Sequence, residues 1–190
     1  MSVAAAVLGL ALGWGSAGLY AQPGVPGWAA AQSLPTELRS HLPSGQLAGR
    51  ARLSVWGFQI YDATLWVAPD FKARAYENHA FALELAYLRP FTSREIAQRS
   101  LVEMSRQGSI GAEQSVAWER QLQEVIPDVQ PGDRLAGIYQ PGLGGKFLVN
   151  GKLHKTLADV QLTKRFFGIW LSEATSEPAM RRELMSLASP

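Results

Sequence analysis

The chain contains no cysteine. That single absence excludes a disulfide framework, a thiolate zinc site and a cysteine nucleophile. Histidine is nearly as scarce. His41, His79 and His154 lie far apart, and none has a partner at metal-ligand spacing, so no metal is expected. Charged residues make up only 18% of the 190 residues, with a formal net charge of +2. A surplus that small gives no ground for a nucleic-acid partner or for attraction to a membrane surface. Internal repeats are lacking too. The 47% hydrophobic content is that of an ordinary folded domain and excludes a disordered, collagenous or coiled-coil chain. One domain is expected at this length, large enough to bury a core without staples.

No Lys, Arg, Asp or Glu precedes Glu37. Residues 3–20 are apolar but broken by glycines, and a Pro-, Gly- and Ala-rich stretch follows, ending in Ala29-Ala30-Ala31. A short apolar segment before a small-residue site is the pattern of a secretory signal, here without a basic start. Residues 1–31 are therefore read as a signal peptide cleaved before Gln32, and the protein as periplasmic or secreted. A single membrane anchor and a cytoplasmic leader are the alternatives. The glycines and the short length weigh against a spanning helix. Residues 32–46 carry Pro35 and Pro43 and read as a linker or irregular lead-in, leaving 47–190 as the domain.

Within that domain the periodicity alternates between two kinds. Residues 50–55 and 58–67 are rich in β-branched and aromatic residues, and residues 80–88 alternate apolar and mixed positions before Pro90, so all three predict strands, with Gly57 at a turn or bulge. Thr92-Ser93-Arg94-Glu95 is a capping box that should open a helix running to Gln107 before Gly108. A second helix is expected over 111–125, with Val116, Trp118, Leu122 and Val125 as its apolar contacts. Strands follow at 134–140, 146–149 and 152–156, the last two joined by Asn150-Gly151, a two-residue hairpin turn. Helices close the chain at 159–171 and from Pro178 to about Leu187. Strands in hairpins and helices in pairs argue for an α+β fold with a mostly antiparallel sheet.

Chemistry is thin. Pro141 to Lys146 resembles a phosphate loop, but Phe147 stands where Ser or Thr is required. No nucleophile elbow occurs. Two features suggest binding. Arg50 and Arg52 share one strand face by the period of two, and a guanidinium beside the Tyr61 hydroxyl in an apolar cleft would receive a carboxylate or phenolate. The alternative is that both arginines lie on the solvent face of the strand. Glu103, seven residues after Ile96, lies close to the apolar stripe of its helix, where it lines a cavity or sits at the stripe's edge.

Gly49, the run from Trp56 to Trp66, the segment from Pro127 to Leu135, the hairpin around Phe147, Asn150 and Gly151, and Phe166–Leu171 with Arg181 and Leu184 resemble the chalcone isomerase-like family, the closing helices its bacterial branch. The likeness runs from about residue 47 to residue 187. It implies an open-faced β-sandwich, a large antiparallel sheet covered on one side by helices, with a cleft between them. Active members cyclise a chalcone, using an Arg and a Thr on early strands and a Tyr and an Asn on the first helix. Other members bind fatty acids through an Arg and a Tyr. Carried over, the Arg falls on Arg50 or Arg52 and the Thr on Tyr61. The helix Tyr becomes Ile96, the Asn becomes Glu103, and a late Thr corresponds to Thr163. Ile96 offers no hydrogen bond, and a carboxylate at Glu103 repels a phenolate. The resemblance thus implies a non-catalytic binder of a small amphipathic acid such as a fatty acid, without a cofactor. The candidate ligand-binding residues are Arg50, Arg52, Tyr61, Glu103 and Thr163. A phenolic ligand with intramolecular lyase activity, and a structural role in the envelope, are the alternatives. The oligomeric state is open.

Overall fold

The computed structural model describes residues 33–189. Six strands form one antiparallel sheet in simple chain order: β1 (Gln46–Val55), β2 (Phe58–Val67), β3 (Phe81–Tyr87), β4 (Arg134–Gln140), β5 (Gly144–Val149) and β6 (Lys152–Leu157). Between β3 and β4 the chain leaves the sheet to form α2 (Ser93–Met104) and α3 (Ala112–Val125); after β6 it forms α4 (Val160–Leu171) and α5 (Pro178–Leu184). The expected order of strands and helices holds, as does the α+β class.

The sequence signals act where they were read. The Thr92 hydroxyl accepts from the Glu95 amide while the Glu95 carboxylate accepts from the Thr92 amide, so the capping box opens α2. Asn150 and Gly151 take φ of 50° and 80° in the β5–β6 turn. Val116 is the exception, being exposed whereas Trp118, Leu122 and Val125 are buried. Two residues correspond to about 200° of helix rotation, which turns Val116 away from the face that Trp118 commits to the core.

The main core lies between the sheet and the helices. β3 contributes Phe81, Leu83 and Leu85, and α4 contributes Phe166, Phe167, Trp170 and Leu171. Helix α4 sits low on the sheet because Gly137 and Gly145 leave room. A Cβ on Gly137 would come within 2.8 Å of the Phe167 ring, and one on Gly145 within 3.0 Å of Thr163 Cγ2.

Residues 33–45 correct the expectation of a linker. They include a short helix, α1 (Thr36–Arg39), and Leu34, Leu38 and Leu42 are buried on the sheet's second face against Trp66, Ala82, Ile138 and Leu148. The three leucines recur every four residues, the repeat of one helix face, but Pro35 and Pro43 conceal it. Among the described residues, no helix is long and apolar enough to cross a membrane.

Candidate functional site

A cavity of about 600 Å³ opens between the sheet and helices α2, α4 and α5. Leu53, Ile60, Leu85 and Leu135 form its sheet wall, and Ile96, Phe166, Ile169 and Met180 close it from the helices. Its polar groups are few: Tyr61 and Tyr87 from the strands, Glu95, Arg99, Ser100 and Glu103 from α2, and Thr175, Ser176 and Glu177 before α5. A mostly apolar chamber with a handful of polar groups suits a ligand with a long apolar body and one polar end.

Tyr61 reaches this chamber because the strand period puts it on the same face as Ala63 and Leu65. Its hydroxyl oxygen accepts a 3.0 Å hydrogen bond from Trp170 Nε1. Burial pushes the phenol well above its ordinary range; the Trp170 bond opposes this, Glu177 and Glu103 add to it, and Arg99 works against it. Tyr61 is therefore a neutral phenol whose proton remains available to a ligand. Tyr87 stands edge-on to it at 5.9 Å between ring centroids and is also pushed up by burial.

Glu103 lines the cavity and is only 7% exposed. Two arginines neutralise it: Arg99 at 2.7 Å, one turn before it on α2, and Arg106 at 2.9 Å, in the short 3-10 turn that follows the helix. The two pairs differ from a structural bridge in their exposure. The Arg99 side chain is 72% exposed, so its guanidinium can swing toward a ligand, whereas the Glu103 carboxylate it meets is buried. Glu95 is engaged with the Thr92 cap.

The remaining expected site residues lie elsewhere. Arg50 and Arg52 do not meet Tyr61. They pair across the strands with Thr64 and Asp62, on the sheet face opposite the cavity. Arg52 makes a two-pronged ion pair with Asp62, and Arg50 lies within electrostatic reach of Glu84. A β-bulge between Leu47 and Gly49 decides this arrangement. One extra residue there reverses which side chains of β1 face the cavity. Gly49 is held at the bulge by α5, since a Cβ at that position would come within 2.1 Å of the Glu183 carbonyl oxygen. Thr163 is fully buried under β5, where its hydroxyl donates to the Asp159 carbonyl at 2.7 Å, and it does not line the cavity. The structure thus brings Tyr61 and Glu103 together and leaves out Arg50, Arg52 and Thr163. Arg99, which the sequence alone does not single out, supplies the guanidinium of the cavity. Its position one turn before Glu103 is the signal that could have found it. Among the described residues no group of three or more His, Asp or Glu side chains could hold a metal ion.

The fold is shared with a fatty-acid binding protein of Arabidopsis thaliana, whose crystal structure matches at a TM-score of 0.57 and 11% identity, over 75% of this chain and 87% of that one. No curated protein sequence matches this chain. A family model described as chalcone isomerase-like matches residues 29–186. With that match spanning most of its length, the chain belongs to the chalcone isomerase-like family.

Proposed function

We propose that this protein is a non-catalytic binder of a small amphipathic acid, such as a fatty acid, acting outside the cytoplasm after removal of residues 1–31. The observation that carries the reading is the apolar chamber of about 600 Å³ with a guanidinium and a neutral phenol on its lining. Its size is within the ~300–1,000 Å³ range usual for ligand pockets. The apolar body of the ligand lies among Leu53, Leu85, Leu135 and Phe166. Its carboxylate takes a charge-assisted hydrogen bond from Arg99 and a second from the Tyr61 hydroxyl. Arg99 can be recruited because Arg106 continues to neutralise Glu103. Arg99 thereby takes the role that the sequence assigned to Arg50 or Arg52. A fatty-acid binding protein that shares the fold is consistent with this reading.

Titration calorimetry with a long-chain fatty acid tests it. Saturable binding is expected, weakened about tenfold in Arg99→Ala and in Tyr61→Phe, the worth of one hydrogen bond to a charged group. No saturable binding, or binding indifferent to both substitutions, overturns the reading. Native mass spectrometry of protein purified from its own host would identify a lipid retained through purification.

A further inference from the structure

The β1–β2 and β5–β6 connections have the same geometry but different side chains. Both are two-residue turns with positive φ at each position, 48° and 82° at Trp56 and Gly57, 50° and 80° at Asn150 and Gly151. Asn-Gly is the combination such a turn favours. Trp is not, because a bulky side chain is strained at positive φ. Strain of this kind is ordinarily offset by packing, yet Trp56 is 95% exposed. Its neighbours on the tip, Val55 and Phe58, are 41% and 57% exposed. The folded protein therefore gains nothing visible from a tryptophan at this point, which makes the tip a candidate for function.

The position of the tip indicates what it meets. Val55 and Trp56 also line the cavity opening. Arg89 holds its guanidinium 4.9 Å from the centre of the Phe58 ring, which adds a cation beside the aromatic pair. Arg99 lies on the same cavity lining but is paired with Glu103 and accompanied by Glu95 and Glu177, so Arg89 is the cation that the tip itself offers. Aromatic side chains next to arginine are the chemistry of a membrane–water interface, where the rings enter the headgroup layer and the guanidinium meets phosphate. A protein partner suits the tip less well. Three side chains on one convex turn fall far short of the ~800 Å² that each side of a stable protein interface buries. A bilayer needs no complementary shape.

We propose that the Val55–Phe58 hairpin tip docks the protein on an anionic lipid surface, with the cavity opening held against the bilayer. The role of the docked state in loading rests on the binder reading above, whereas the docking itself does not. An apolar chain could then pass between bilayer and cavity with little exposure to water.

Flotation of the full chain with phosphatidylcholine vesicles doped with phosphatidylglycerol tests this. The wild type should float with the vesicles. Trp56→Ser and Phe58→Ser should each lower partitioning about tenfold, the worth of burying one large apolar side chain. Both positions are exposed, so an unchanged denaturation midpoint for Phe58→Ser, and one no lower than the wild type's for Trp56→Ser, is expected and verifies folding. A wild type that stays with the soluble fraction overturns the proposal, as do variants that float undiminished. Self-association in vesicle-free buffer that Trp56→Ser abolishes, without vesicle binding, would assign the tip to a second copy instead. Fatty-acid binding from vesicle-free solution separates the two readings. Phe58 does not line the cavity, so Phe58→Ser should keep that binding while losing flotation. Flotation of a wild type that takes up no fatty acid would support docking and remove the binder.

Discussion

Trp170 and Tyr61 join the last long helix to the second strand through one hydrogen bond, Nε1 to Oη at 3.0 Å, at the wall of the cavity. Removing the donor and removing the ring should have distinct costs. Trp170→Phe deletes the N–H but keeps most of the packing, so a loss of about 1 kcal/mol is expected. Trp170→Ala also empties a buried ring site, and should cost about 3–5 kcal/mol. Urea denaturation measures both. An alanine variant that loses less than about 1 kcal/mol would place Trp170 outside the core.

Glu103 is the cavity's own carboxylate, and it competes with an incoming acid for Arg99. Glu103→Gln keeps the shape and removes the competing charge. Affinity for a fatty acid should rise several-fold, up to about tenfold, because one like-charge repulsion disappears in a partly desolvated site. Calorimetry against the same fatty acid decides it. A fall in affinity would mean that Glu103 serves chiefly to hold Arg99 in place.

Ile96 and Glu103 both line the cavity, at the helix positions that the family resemblance aligns with a Tyr and an Asn. Neither can orient a phenolic substrate as those groups do. Cyclisation of a chalcone, followed by absorbance, should therefore not exceed the spontaneous background. A saturable rate that is lost in Arg99→Ala would make the protein an enzyme after all.

On the opposite sheet face, burial raises the Glu84 carboxyl above its ordinary 4.5, while Arg134 and Arg50 pull it down and Glu37 adds to the rise. A carboxyl raised by folding contributes stability that is fully present below about pH 4.5 and is lost as pH climbs through the raised value. Glu84→Gln lacks that titration. The stability of the variant relative to the wild type should thus be greater at pH 7 than at pH 4. Urea midpoints at the two pH values check the sign. The reverse order would show that the Arg134 pair, 3.6 Å away, outweighs burial.

The uncharged amino-terminal stretch ends in Ala29-Ala30-Ala31. Amino-terminal sequencing of the protein from a periplasmic fraction should find a chain beginning near Gln32. An intact Met1 in the soluble cell fraction would contradict export. That expectation concerns residues outside those the structure describes.

Local signals were legible and long-range ones were not. The capping box at Thr92, the Asn150-Gly151 turn and the alternation in β2 each depend on residues within a few positions of one another, and each formed where expected. The sequence left the face of Arg50 and Arg52 open for a different reason. Their shared face was read correctly from the period of two, but which face it was depends on the bulge beside Gly49, and the bulge depends on α5, more than a hundred residues away. Arg99 is not legible from a helix stripe, which ranks residues by apolarity, whereas a cavity mouth needs a charged residue at the stripe's edge. Leu34, Leu38 and Leu42 are hidden in the sequence because two prolines interrupt the pattern that marks a helix face.

The sheet's simple chain order has a consequence for how quickly it can assemble. β1–β2 and β5–β6 close over two-residue turns, and β2–β3 and β4–β5 also join chain neighbours, so these pairs need little loop closure. Only the β3–β4 seam must wait for residues 88–133 to be looped out. That seam, where Leu83 faces Gly137 and Leu85 faces Leu135, unites the two halves of the sheet beneath α4. Folding should therefore proceed as two local meanders followed by one slow joining step. Substitutions along the seam should retard refolding more than those in either hairpin.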